Sequence, residues 1–144
     1  LMNRCTEDEK YIDEIWRMNC SSESQKLLIV DCRSPTSAYL NSLKNGGTES
    51  VAYYKNCSQL FCGIANIHVM RDSMKQLDRY ATFHLVGSEA TWMAHVKLVL
   101  ESAITIVNTL NKEISVLIHC SDGWDRTAQC SAIAQLFLDP HYRT

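Results

Sequence analysis

The sequence predicts an α/β fold with a mainly parallel sheet flanked by helices on both faces. Three observations carry that prediction. Short apolar runs with strand character alternate with segments of helical period, no repeat or low-complexity tract interrupts them, and a cysteine-bearing loop leaves the last run where a parallel sheet places its ligands. In chain order, Thr6-Glu7-Asp8-Glu9 has the pattern of a capping box, and Tyr11, Ile12, Ile15, Trp16 and Met18 give an apolar face to a helix from about Glu7 to Met18. After the polar stretch Asn19 to Gln25, Leu27 to Asp31 reads as a short buried strand. Pro35 suits the first turn of a helix running to about Leu43, which Gly46-Gly47 stops. Gly63 to Val69 reads as a second strand, with a helix near Arg71 to Tyr80 behind it. From Thr91 to Asn111, Val96, Val99, Leu100, Ala103, Ile106, Val107 and Leu110 recur at helical spacing, and this helix is expected under the sheet. Ile114 to Ile118 is the last strand, and a helical pattern resumes near Arg126.

The chemistry is concentrated between that strand and that helix, in His119-Cys120-Ser121-Asp122-Gly123-Trp124-Asp125-Arg126-Thr127. A short loop there turns its backbone N–H groups inward, and with the positive end of the helix dipole they form an anion cradle. Arg126 adds a fork of donors that grips a phosphate through two hydrogen bonds. The same field depresses the Cys120 thiol from about 8.5 towards the range of roughly 3.5 to 7.5 found beside cations and helix N-termini, giving a thiolate nucleophile. None of the other cysteines is followed by an arginine at the same spacing. His119 is expected to orient the loop by hydrogen-bonding its backbone, since a thiolate needs no base. His68, on the predicted strand, is expected to pack; His84, His95 and His141 suggest no role.

Two aspartates and a tryptophan set this loop apart from an ordinary tyrosine phosphatase loop, which carries small neutral residues there. Two carboxylates beside a thiolate and a phosphate make electrostatic sense if one is protonated and serves as the acid for the leaving alcohol. Many thiol phosphatases bring that acid on a separate Trp-Pro-Asp loop, and this chain, whose prolines are Pro35 and Pro140, has no such tripeptide. Asp125 and Asp122 are therefore candidate acids, with the alternative that they brace the loop by accepting backbone N–H bonds. Trp124 suits the apolar face of a sugar-like ring or, alternatively, core packing.

The run resembles the signature of the myotubularin family, cysteine-dependent phosphatases that remove the 3-phosphate of phosphoinositides. Asn66-Ile67-His68-Val69-Met70-Arg71 is similar to a further family stretch, as is Gly46-Gly47 followed by Glu49-Ser50, though Thr48 replaces the usual tyrosine and Asn45 a common glycine. Gln129 also fits, and the similarity runs from about Asn3 to Thr144. The resemblance implies a cysteine-phosphatase-like fold, Cys120 as nucleophile, Arg126 as phosphate clamp and Asp125 as the preferred acid. It implies substrate contacts at Asn41, Asn66, Ile67, Ser121, Asp122, Gly123, Trp124, Asp125 and Arg126. It also implies that residues 1–144 are a fragment of the catalytic domain, incomplete at both ends, lacking an N-terminal PH-like module and a C-terminal remainder with contacts to a 5-phosphate. Such a fragment is expected to be poorly stable and weakly active alone. The implied substrates are phosphatidylinositol 3-phosphate and phosphatidylinositol 3,5-bisphosphate, cleaved through a cysteinyl-phosphate without metal or other cofactor. The implied partners are the lipid head group, peripheral membrane contact through other domains, and homo- or hetero-oligomers with family members, in the cytoplasm and on endosomal membranes.

Composition narrows the alternatives. The 144 residues carry a formal net charge of −2 and are 46% hydrophobic, so no basic excess announces nucleic acid. No signal peptide is visible, and no apolar run approaches the roughly 18 residues of a bilayer span, so no segment is expected to span a bilayer. The seven cysteines, Cys5, Cys20, Cys32, Cys57, Cys62, Cys120 and Cys130, read as reduced thiols. Cys57 and Cys62 lack the further close ligands a zinc site needs. Leu28 to Pro35 has the look of the strand and turn that open rhodanese domains, but aspartates inside the cysteine loop would repel thiosulfate. A dual-specificity phosphatase and a catalytically incompetent relative acting as an adaptor complete the alternatives; the presence of both Cys120 and Arg126 argues against the latter.

Overall fold

The computed structural model describes residues 4–19, 21–43, 46–83 and 89–144. Cys20, Asn45 and His84 lie outside them. The described elements run α1 (Thr6–Asn19), β1 (Leu27–Asp31), α2 (Pro35–Ser42), β2 (Cys57–Phe61), α3 (Ile67–Phe83), α4 (Glu89–Leu110), β3 (Val116–His119), α5 (Arg126–Leu138) and a 3-10 turn at Pro140–Arg143. The strands form one parallel sheet in the order β2-β1-β3.

Strand β1 is central, which explains its near-continuous apolar sequence: both faces must be covered in a parallel sheet. Leu27 and Ile29 face α1, packing with Ile12, Ile15, Trp16 and Cys57. Val30 faces the other side, against Val99 and Ile106 of α4 and Cys130 and Ala134 of α5. Ile29 and Val30 are wholly buried, each stabilising the fold by about 1.5–3 kcal/mol through area removed from water. Helix α1 uses a narrower apolar stripe than its sequence suggested, because Tyr11 and Met18 remain exposed. Its capping box is not formed: Thr6 lies inside the helix and Glu9 grips Arg4 in a two-point ion pair.

Helix α2 begins as expected, with Ser34 Oγ accepting from the Ser37 amide at 3.1 Å and Pro35 in the first turn. The region after it departs from expectation. Cys57–Phe61 is one edge strand, whereas Gly63 to Val69 is not a strand, and α3 starts four residues earlier than expected, at Ile67 rather than Arg71. Gly63 turns the chain with φ at +70°, and Asn66 then caps α3, its Oδ1 accepting from the amides of His68 at 3.0 Å and Val69 at 3.1 Å. His68 is thus an exposed residue on the first turn of a helix.

Helix α4 lies against the sheet and α5 as expected, burying Val99, Ala103 and Ile106. Thr91–Leu110 is long and apolar enough by length and composition to cross a bilayer, with mean hydropathy 1.2, although no unbroken apolar run of that length occurs. Val99 and Ile106 within it pack into the core beside the sheet, and 22% of the span is buried.

Candidate active site

The site forms where the strands end. Beyond the last paired residues, the Cys32 amide donates to the His119 carbonyl at 2.8 Å, the Cys62 amide to Asp31 at 2.9 Å and the Ile64 amide to Cys32 at 3.0 Å. Three chain segments are thereby drawn together at the carboxyl edge of the sheet, and Cys120 leaves β3 into the loop ahead of α5.

Cys120 is buried at 9% exposure at the foot of that loop. Gly123, with φ at +83°, aims its N–H at Cys120 Sγ from 3.2 Å. A side chain at Gly123 meets no atom within 4 Å, so the demand for glycine there comes from the backbone angle. Burial pushes the Cys120 thiol upward as the largest single influence, but the Thr127 hydroxyl and the amides of Thr127, Gly123 and Asp122 together outweigh it and bring the thiol down to about 7. Thr127 Oγ1 is buried with no other hydrogen-bond partner among the described residues, so its hydroxyl is directed to the thiol it helps to lower.

The Arg126 guanidinium donates to Ser121 Oγ at 2.9 Å and reaches the Ile64 carbonyl at 3.5 Å. Asn41 Nδ2 donates to the same Ser121 Oγ at 3.1 Å, so α2 and α5 meet on one loop hydroxyl. A polar cleft of about 500 Å³ opens above, lined by Arg33, Asn41, Gly46, Gly47, Glu49 and His119 with Cys120, Ser121 and Asp122. Gly46 donates its N–H to the Asn41 carbonyl at 2.9 Å. A Cβ on Gly46 would stand 2.8 Å from that oxygen, so only glycine lets the segment approach α2 this closely. A second depression of about 320 Å³ between α1 and residues 53–57 is lined by the paired Arg4 and Glu9, by Asp13, and by Lys10 and Lys55; it holds no thiol placed like Cys120 under a loop amide.

The structure therefore brings together Cys120, Ser121, Asp122, Gly123, Arg126 and Asn41. Asp125 precedes α5, is exposed, is not among the residues lining the cleft, and makes no side-chain cap bond to that helix. Trp124 is 84% exposed, which overturns the core-packing alternative. Asn66 and Ile67 are not among the lining residues: Asn66 spends its Oδ1 on the α3 cap, and Ile67 is exposed beside it. Their segment still reaches the site through the Ile64 carbonyl.

Sequence reasoning missed the charges behind the cleft. Asp31 is wholly buried and holds Arg33 at two points, Nε to Oδ1 at 2.9 Å and Nη2 to Oδ2 at 2.6 Å, while Arg33 also donates to the Gly47 carbonyl at 2.9 Å. A carboxylate closing an apolar strand, two residues before an arginine, was the available signal. His119 does orient the loop as expected, with Nδ1 at 3.2 Å from the Cys120 carbonyl.

Three other thiols are pushed away from reactivity, whereas buried Cys130 is lowered, first by its contact with Cys32. Cys32 donates to Cys130 across 3.9 Å and is pushed up to about 12, first by that contact and also by burial. Burial pushes Cys57 up to about 11, and Cys62 is raised further, first by its contact with Cys32. Cys57 and Cys62 pack in different core clusters, with Cys57 on the α1 side of the sheet. Because the deprotonated sulfur reacts, iodoacetamide should label Cys120 with a rate that rises with pH through a midpoint near 7, while Cys32, Cys57 and Cys62 in folded protein stay unlabelled below pH 8. Peptide mapping by mass spectrometry checks this, and equal labelling of Cys57 and Cys120 would refute it.

A lowered thiol at the carboxyl edge of a parallel sheet, ringed by amides ahead of a helix and followed by a guanidinium, defines an α/β domain of the thiol phosphatase type. Residues 1–144 match the family described as "Myotubularin-like phosphatase domain", and the chain belongs to that family. It is 46% identical over 128 residues to mouse phosphatidylinositol-3,5-bisphosphate 3-phosphatase MTMR4, covering 83% of this chain and 11% of that protein. The human MTMR4 is 45% identical over the same length and shares of each chain. Bovine phosphatidylinositol-3,5-bisphosphate 3-phosphatase MTMR2 is 42% identical over 151 residues, covering 98% of this chain and 23% of that protein. The chain thus spans less than a quarter of the length of these curated relatives.

Proposed function

We propose that the full-length protein hydrolyses the 3-phosphate of phosphatidylinositol 3-phosphate and phosphatidylinositol 3,5-bisphosphate. The observation that carries the reading is the Cys120 thiol held at about 7 beneath the Gly123 amide, and the activity for which the relatives are named supplies the substrate class. The thiolate attacks phosphorus in line with the inositol oxygen. The P–O bond breaks as the P–S bond forms, and Asp125 gives its proton to the leaving alkoxide. Arg126 and the loop amides bear the charge on the three transferring oxygens. Water then cleaves the cysteinyl-phosphate, releasing inorganic phosphate and the thiolate. Asn41 orients Ser121, and the exposed Trp124 offers a flat face to the inositol ring. Asn66 and Ile67 act from the segment whose carbonyl touches Arg126. Access to lipid is peripheral, at endosomal membranes reached from the cytoplasm, through parts of the protein outside this chain and with family members as oligomeric partners.

The test is a positional assay on the full-length protein with both lipids and a phosphotyrosine peptide. Phosphate is expected from the 3-phosphorylated lipids at a kcat/KM at least about a hundredfold above the peptide, a separation of roughly 2.7 kcal/mol in transition-state binding. Preference for the peptide, or sulfur transfer from thiosulfate without phosphate release, would overturn the reading.

A further inference from the structure

Behind the nucleophile loop, His119 stands between two carboxylates that the reaction itself does not use. Its Nε2 lies 3.1 Å from Glu49 Oε2 and 3.9 Å from Asp31 Oδ2, while Nδ1 faces the Cys120 carbonyl at 3.2 Å. The contact with Glu49 is an ion-pair approach, too bent for an aligned hydrogen bond, and both atoms are buried without another partner among the described residues. Asp31 is differently placed, because Arg33 already occupies both its oxygens. Glu49 is therefore the carboxylate available to a charged His119. Three contacts fix the segment carrying it: Gly46 on the Asn41 carbonyl, the Gly47 carbonyl on Arg33, and Glu49 on His119.

We propose that Glu49 is a positioning residue for the nucleophile, acting through His119 to hold the Cys120 carbonyl and place a positive charge behind the thiolate. The inference rests on the phosphatase reading for its meaning in catalysis. A neutral imidazole has one N–H, whereas the doubly protonated ring can donate from Nδ1 to Cys120 while Nε2–H faces Glu49. Burial works against that cation more than any other single influence, but Glu49, then Asp31 and the Cys120 carbonyl, outweigh it, and the net movement of His119 is upward. The groups facing His119 are Glu49 from the glycine segment, Asp31 from β1 with Arg33 behind it, and its own neighbour Cys120. With the carboxylate removed, the two largest upward influences on His119 are lost, the ring holds its second proton less firmly, and the thiolate has less positive charge behind the loop.

The experiment compares full-length wild type, Glu49→Gln and Glu49→Asp by the pH dependence of Cys120 alkylation with iodoacetamide. Glu49→Gln is expected to slow alkylation at pH 6.5 by about threefold to tenfold, corresponding to a midpoint raised by up to roughly one unit, with partial recovery in Glu49→Asp. The kcat of Glu49→Gln at pH 6.5 should fall by a similar factor and approach wild type at higher pH. A profile superimposable on wild type, or one displaced to lower pH as loss of a bare negative charge would give, overturns the proposal. Should Glu49→Gln not fold, imidazole nitrogen shifts of His119 in the wild type decide: both nitrogens protonated past pH 7 support it, and titration near 6.5 overturns it. Because alkylation needs no turnover, a shifted profile in a protein lacking lipid phosphatase activity would sink the functional reading alone.

Discussion

Cys120→Ser in the full-length protein should abolish release of the 3-phosphate, a loss of about 10⁴- to 10⁶-fold in kcat, while head-group binding persists. The size follows from what the loop supplies. The Gly123 amide and the Thr127, Gly123 and Asp122 contacts bring a buried thiol down to about 7, so an appreciable fraction is thiolate at neutral pH with no base engaged. A serine hydroxyl would need a base, and His119 is committed to the Cys120 carbonyl on one nitrogen and to the carboxylates on the other. Arg126→Lys should cost less, on the order of 10²- to 10³-fold, since an ammonium keeps the charge and loses the two-point fork. That variant also releases Ser121 Oγ from one of its two donors, so its KM should rise along with the fall in kcat. Single-turnover measurement of phosphate release on both variants checks the order. Residual turnover in Cys120→Ser above about one part in a hundred would remove Cys120 from the chemistry.

How much of this was legible beforehand depends on how local each feature is. Strand β1 declared itself because a central parallel strand is covered on both faces and so reads as an unbroken apolar run. Strand β2 did not: Cys57–Phe61 mixes Ser58 and Gln59 into its pattern, while the other edge strand, β3, keeps the apolar run Val116 to Ile118. The apolar Ile67 and Val69, which imitate a strand, are exposed on the first turn of a helix that Asn66 caps. The cradle was readable because its cysteine, glycine and arginine lie within one short loop. The ion pair between Glu49 and His119 was not, since it joins a glycine segment to a distant strand end and only the register of β1 beside β3 brings Asp31 and His119 level. Local chemistry was visible in sequence; the charges that tune it arise from tertiary placement.

The same distinction governs the identity of the acid, where the second large effect lies. Asp125→Asn should lower release of phosphate from the lipid by about 10²- to 10⁴-fold, the contribution of a positioned proton donor. It should change turnover of an aryl phosphate by less than about tenfold, because a phenolate leaves without help. Asp122→Asn should reduce both substrates by a common, smaller factor, since its amide serves the thiol and its side chain lines the cleft. The geometry makes this comparison sharp. Asp125 is exposed at the head of α5 and is not engaged as a helix cap, so on the proposed mechanism its carboxyl is placed to meet a leaving oxygen outside the cleft. Asp122 lines the cleft with Arg33 and Glu49, whereas Asp125 is not among the lining residues. If leaving-group dependence appears in Asp122→Asn and not in Asp125→Asn, the proton comes from the cleft wall, and the substrate lies across the loop in the opposite sense.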